Sequence, residues 1–342
     1  MPGTKHGTIK VILKRKIEDW LSSIEDEEVR ELAKTNVLVT GGAIASLLEG
    51  NKPSDYDLYF KSYNATLAIA NYYADRFNQS HKPTNYAIPY QVNVKTAQET
   101  NIKGDIENRI IFYMKSAGIA TETQTDYKYY ETVDEVETTD FVETSLSEDQ
   151  VNRLTEEPAE VVEGLETILK EGIIKVNSDK TKEKVKYRPI ILTDNAVTLS
   201  NKVQIIIRFY GNAEEIHKNF DFVHATCLYD YQQNTLEIPY DALSAVLSKT
   251  LIYRGSLYPV ASIFRIRKFL NRGWRISAGQ MLKIIFQISE LDLKNIKILR
   301  DQLIGVDVAY MHQLIRALED VKPLEKIDGA YIASIVDKIF DE

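Results

Sequence analysis

The sequence predicts an α+β fold divided by an acidic insertion and followed by an all-helical C-terminal domain. Three observations carry this. Short β-branched runs alternate with helical patterns as far as residue 240. Between Thr121 and Lys170 stand 15 Asp and Glu against 3 Lys and Arg. From Asp241 onward apolar residues recur at helical spacing. The corresponding segments are 1–120 and 181–240 for the two parts of the core, 121–180 for the insertion and 241–342 for the helical domain.

Lys16 to Ala33 reads as helix, with Ile17, Trp20, Leu21 and Ile24 on one stripe. Val37 to Val39 form a short strand that runs into Gly41 and Gly42. Ala43 to Leu48 is a helix ended near Gly50, and Asn51 to Pro53 is turn material. Asp55 to Phe60 alternates as a second strand, and Ala65 to Phe77 returns to helix. Ile110 to Met114 is a further strand. The acidic window then shows no period, apart from a helical stripe over Pro158 to Lys170. Strand character resumes over Tyr187 to Leu192 and Val203 to Phe209. Ala213 to Lys218 is a short helix, and Phe220 to Tyr229 is a strand that turns at Gln232 to Asn234 into Leu236 to Ile238. Three C-terminal helices are marked by Val260 to Leu270, by Met281 to Ile288 behind a Ser277 cap, and by Met311 to Leu318.

At 342 residues with 44% hydrophobic and 27% charged residues, the chain is neither collagenous nor wholly disordered. Its one cysteine, Cys227, excludes an intramolecular disulfide or a cysteine-based zinc site. A reducing, cytoplasmic setting is expected, and no apolar run is long enough for a membrane span. The net charge of −8 is uneven: the acidic window carries −12, which leaves +4 on the remainder. A mildly basic body is compatible with nucleotides or nucleic acid.

The informative stretch runs from Val37 to Phe60. Two glycines between strand and helix let the backbone approach a ligand, and the helix start offers free N–H groups to an anion. Thirteen residues after Gly42 come Asp55 and Asp57, at i and i+2 of a strand, so both carboxylates share one face. Hard oxygens held together in this way suit Mg²⁺. A triphosphate seat beside a divalent-cation site follows.

Gly41, Gly42, the helix behind them, and Ser54, Asp55, Tyr56 and Asp57 resemble the signature of the polymerase-β-type nucleotidyltransferase superfamily, closest to its branch of CCA-adding enzymes and poly(A) polymerases. The resemblance implies a polymerase-β-like mixed sheet with flanking helices. It also implies two Mg²⁺ ions held by Asp55, Asp57 and a third carboxylate from a neighbouring strand, and triphosphate contacts at Gly41, Gly42 and Ser46. The implied reaction transfers NMP from an NTP to a hydroxyl with release of pyrophosphate. Asp221, between Phe220 and Phe222, is the candidate third carboxylate, because strand alternation would bury the rings and turn the aspartate to the other face. Asp230 is the alternative, and His224, on the opposite face, reads as a packed or surface histidine.

Tyr187 to Tyr229 is similar to nucleotidyltransferase-like proteins of tailed bacteriophages, and Arg265, Lys268, Phe269, Gly273, Trp274 and Ile276 resemble the neck helix of CCA-adding enzymes. The chain lacks that family's Arg-Arg-Asp and Glu-Asp-x-x-Arg motifs. Arg265, Lys268 and Arg272 recur at helical spacing as candidate contacts for nucleic-acid phosphates. The expected acceptor is therefore an RNA, tRNA-like 3′ end. Transfer to a protein or small-molecule hydroxyl, and an inactive phage structural or partner-binding protein, are the alternatives.

Overall fold

The computed structural model describes residues 3–80, 92–100, 106–114, 129–131, 186–193 and 195–293, together with 295, 298, 299 and 302. The chain divides into two compact units, Met1–Asn212 with Cys227–Glu237, and Ala213–Thr226 with Ile238–Glu342. The division falls inside the expected second core segment, 181–240, because Ala213–Thr226 clusters with the C-terminal residues.

The first unit opens with α1 (His6–Ser22) and α2 (Glu27–Asn36). The single helix expected over Lys16 to Ala33 is thus two. The chain turns after Ser22, and the Asp26 carboxylate restarts the helix by accepting from the Val29 N–H at 3.1 Å. β1 (Val37–Thr40), α3 (Gly42–Leu48), β2 (Tyr56–Phe60) and α4 (Tyr63–Ser80) follow in the expected order. β3 (Val92–Thr100) and β4 (Ile106–Met114) form a separate antiparallel ribbon. Then come β5 (Tyr129–Glu131), β6 (Pro189–Thr193), β7 (Ala196–Leu199), β8 (Val203–Ile206), β9 (Leu228–Asp230) and β10 (Thr235–Glu237).

Eight of these strands make one mixed sheet in the order β10-β9-β1-β2-β8-β7-β6-β5. Within it β2 and β8 pair in parallel and the other neighbours antiparallel. The turn between β7 and β8 places Asn201 and Lys202 at φ of 64° and 59°, the left-handed pair that a tight hairpin requires. Of the segment 121–180 only Tyr129–Glu131 is described, and it is the last strand of the sheet, paired with β6. That strand corrects the assignment of the whole segment to an insertion outside the core. The helix expected over Pro158 to Lys170 lies outside the described residues.

The core of this unit includes the apolar stripe of α1, Ile9, Leu13, Ile17 and Trp20, and Ile69, Tyr73 and Phe77 of α4, all of them buried. The Trp20 indole N–H donates to the Tyr73 hydroxyl at 2.8 Å, and its ring lies 6.2 Å from that of Phe60 on β2. Burial of rings of this size is worth about 2–3 kcal/mol each, which fixes the strand bearing the aspartates against α1.

In the second unit, α5 (Ala213–His217), α6 (Tyr240–Leu247), α7 (Pro259–Leu270) and α8 (Ala278–Ser289) accompany a short parallel pair, β11 (Thr250–Leu251) with β12 (Arg275–Ile276). The expectation of an all-helical domain is corrected by that pair. Ser277 caps α8 as its sequence position predicts, accepting from the Gln280 N–H at 3.4 Å. The helix expected at Met311 to Leu318 lies outside the described residues. Among the described residues no helix is long and apolar enough to cross a membrane.

The strand expected over Phe220 to Tyr229 is also corrected: Val223–Ala225 is a 3₁₀ turn, and the strand starts only at Leu228. The physical reason is a competing set of partners. Phe222 bridges Tyr253, the Val223 N–H donates to the Ile252 carbonyl at 3.0 Å, and the Arg254 N–H donates to the Asp221 carbonyl at 2.8 Å.

Candidate functional site

The site is built where β1 meets α3. Gly41, the residue before the helix, has φ 97° and ψ −155°, a conformation that only glycine adopts without strain. A Cβ on Gly41 would stand 3.0 Å from Oδ2 of Asp57, so the carboxylate would have to give way by a few tenths of an ångström. The carboxylate of β2 therefore closes onto the glycine turn, as the spacing of Gly41, Gly42 and Asp57 predicts. Gly42 is the first, exposed residue of α3, and Ser46 sits half-buried one turn on.

Asp55 is exposed just ahead of β2, and its Oδ1 accepts from the Ser54 hydroxyl at 2.6 Å. Tyr56, between the two aspartates, is buried and takes its ring to the opposite side, where the Lys16 ammonium lies 5.1 Å from the ring centroid. Burial holds the Tyr56 phenol neutral, pushed up to about 12, and lowers Lys16 from the ordinary lysine value. Lys16 donates to the Asn201 carbonyl at 2.7 Å, and the Tyr56 N–H donates to the Lys202 carbonyl at 2.8 Å. The strand that carries Asp57, with Asp55 just ahead of it, is thus anchored at its start to α1 and to the β7–β8 turn.

The third carboxylate is a different matter. Asp221 belongs to the second unit, where Oδ2 accepts from Arg265 Nη1 at 2.6 Å and from the Ser262 hydroxyl at 3.0 Å. Its strand placement is corrected above, and metal ligation would require it to give up this pair. Arg265 leaves the expected basic stripe for the same reason: a buried carboxylate draws it in. Lys268 and Arg272 remain exposed, with the Arg272 guanidinium 5.8 Å from the Phe269 ring. Asp230, on β9, accepts from the Gln233 N–H at 3.1 Å and pairs with Lys61 at 2.7 Å. His224 is packed, as the sequence reading has it, with ring centroids of Phe269 and Trp274 at 4.4 and 4.7 Å.

Sequence reasoning missed Gln204. On β8, the parallel neighbour of β2, Gln204 is the direct partner of Asp57. Its signal was present in the alternation of Val203, Gln204, Ile205, where the one polar residue of an apolar run faces away from the core. Among the described residues no three His, Cys, Asp or Glu gather as a metal-holding group. Asp55 and Asp57 are hard-oxygen donors of the kind that bind Mg²⁺, and among the described residues they belong to no group of three such side chains.

These residues define a mixed-sheet α/β protein in which a glycine turn opens onto strand-end carboxylates. A family model described as Gabija anti-defense 2 family protein matches residues 11–249, and the chain belongs to that family. A curated relative, Gabija anti-defense 2 of Bacillus phage SPbetaL7, is 25% identical over 142 residues, which are 41% of this chain and 34% of that protein. The match thus spans about a third of the relative's length, and it supports a bacteriophage origin. Among solved structures, the Thermotoga maritima CCA-adding enzyme complexed with tRNA is similar at 12% identity, covering 95% of this chain and 69% of that chain with a TM-score of 0.34. A likeness so distant carries no functional inference.

Proposed function

We propose that the protein counters a bacterial defence by nucleotidyl transfer at the Gly41–Asp57 site. The observation that carries the reading is the close approach of the Asp57 carboxylate to Gly41, whose φ of 97° favours glycine. In this reading the N–H groups that follow Gly41 and Gly42, with the Ser46 hydroxyl, contact the triphosphate. Asp55 and Asp57 would hold a divalent cation, Mg²⁺ in the cell, which would neutralise phosphate charge. An acceptor hydroxyl oxygen attacks the α-phosphorus, the bond to the bridging oxygen of the β-phosphate breaks, pyrophosphate leaves, and the acceptor's proton passes to solvent.

A polynucleotide 3′ end is the acceptor favoured by the second unit. Residues 242–289 contain eight Lys and Arg and no Asp or Glu, and Arg254, Arg267, Lys268, Arg272, Arg275 and Lys283 are exposed. Transfer to a hydroxyl of a host defence protein is the second reading, favoured by the exposed apolar residues Met281, Leu282, Ile285 and Phe286 of α8.

Incubation with each α-labelled NTP, Mg²⁺ and an extract of Gabija-bearing cells tests this. Label entering RNA supports the first reading, and label entering a protein supports the second. No transferred label with any NTP overturns both.

A further inference from the structure

Resting on that nucleotide-site reading, we propose that the site takes a single divalent cation, not a pair, because Gln204 stands beside Asp57 where a third carboxylate would be required. The two-ion site that the resemblance implies has a third carboxylate on a strand neighbouring the aspartates, and β2 has two neighbours, β1 and β8. On the β1 side, the register Val39 to Leu58 continues to Thr40 beside Asp57. Thr40 is fully buried, and its hydroxyl donates to the Cys227 carbonyl at 2.7 Å. On the β8 side, Asp57 pairs with Gln204.

Paired residues on adjacent strands share a face of the sheet. Leu228, Thr40, Asp57, Gln204 and Thr198 therefore form one row across five strands, with one carboxylate in it. Asp230 lies on the same face two residues further along β9, and Lys61 holds it. Two carboxylates balance one divalent ion. A second ion would face the Gln204 amide, which supplies no negative charge. The Gln204 carboxamide instead offers an N–H to a phosphate or acceptor oxygen, so it acts as a positioning residue.

Counting bound Mn²⁺ by electron paramagnetic resonance tests the proposal, with the protein alone and with α,β-methylene analogues of the four NTPs, each corrected for the analogue's own binding. The expected result is one ion per chain in both conditions, none for Asp57→Asn, and two for Gln204→Glu in the presence of an analogue. Two ions on the unsubstituted protein, or one on Gln204→Glu, would overturn it. One ion without affinity for any analogue keeps the single-cation site and removes the nucleotide reading. No ion in any condition removes both.

Discussion

At the scale of single residues, Gly41 and Asp57 form the tightest test of the site. A side chain on Gly41 meets the Asp57 carboxylate at 3.0 Å and must adopt φ 97°. Gly41→Ala should therefore cost about 1–3 kcal/mol of stability and weaken nucleotide binding, as read by thermal unfolding with and without an NTP analogue. Asp57→Asn should behave oppositely in the metal-free protein: removing one of two like charges leaves the melting temperature unchanged or higher. His224 gives a pH test. Burial lowers its imidazole from 6.5 to about 4, against a smaller opposing pull from Asp221, and His217 is lowered to about 4 by burial and by Arg254. Both groups bind protons more readily in the unfolded chain, so stability is full above pH 6.5 and falls as the pH drops toward 4. The buried His224 contributes up to about 1.4 kcal/mol per pH unit in that window, and the more exposed His217 less. Denaturant melts of His224→Phe should show a shallower slope between pH 6.5 and 4, and an unaltered slope would contradict the burial argument.

At the scale of elements, the pair Asp221 and Arg265 joins the loop after α5 to α7 within the second unit. Breaking it by Asp221→Ala strands a partly buried guanidinium and should cost about 2–3 kcal/mol. Arg265→Ala should cost a similar amount, with the double variant less destabilised than the sum. Additive losses in that cycle would show that the pair is incidental. β5 yields another outcome. Replacing Thr121 to Glu157 by a Gly/Ser linker removes Tyr129–Glu131 and bares the β6 edge, so the variant should melt lower and aggregate more readily, as light scattering would record. Unchanged melting would detach β5 from the fold's stability.

Much at this scale was legible in the sequence. The order from Val37 to Phe60 followed from periodicity and turn residues, because the local signals there agree with the tertiary fold. The strand at Phe220 did not follow, since its β-rich residues pair with Ile252 and Tyr253, thirty residues away, and spacing alone names no partner. Asp221 between two phenylalanines reads as a strand carboxylate for the same reason. Its real determinant is a cation 44 residues on. Gln204 was visible as a polar break in an apolar run, but only the parallel register with β2 gives that break a meaning.

At the scale of the whole molecule, Gly41 and Asp57 lie within the residues 11–249 that the family model matches. The charge is unevenly distributed along the chain: −12 lies in the window Thr121 to Lys170, whereas residues 242–289 carry only positive charges. If phosphates of a nucleic acid meet that basic stretch, Lys268→Ala with Arg272→Ala should reduce the salt slope of RNA binding by about two units, one per lost contact. An unchanged slope across a salt series would leave those side chains as a solvated face. The central claim is that anti-defence depends on chemistry at Asp57. The most direct measurement is phage plating on Gabija-bearing cells that express either the unsubstituted protein or Asp57→Asn at equal levels. The account predicts that plating is restored by the first and stays suppressed with the second. Equal restoration by both would contradict it.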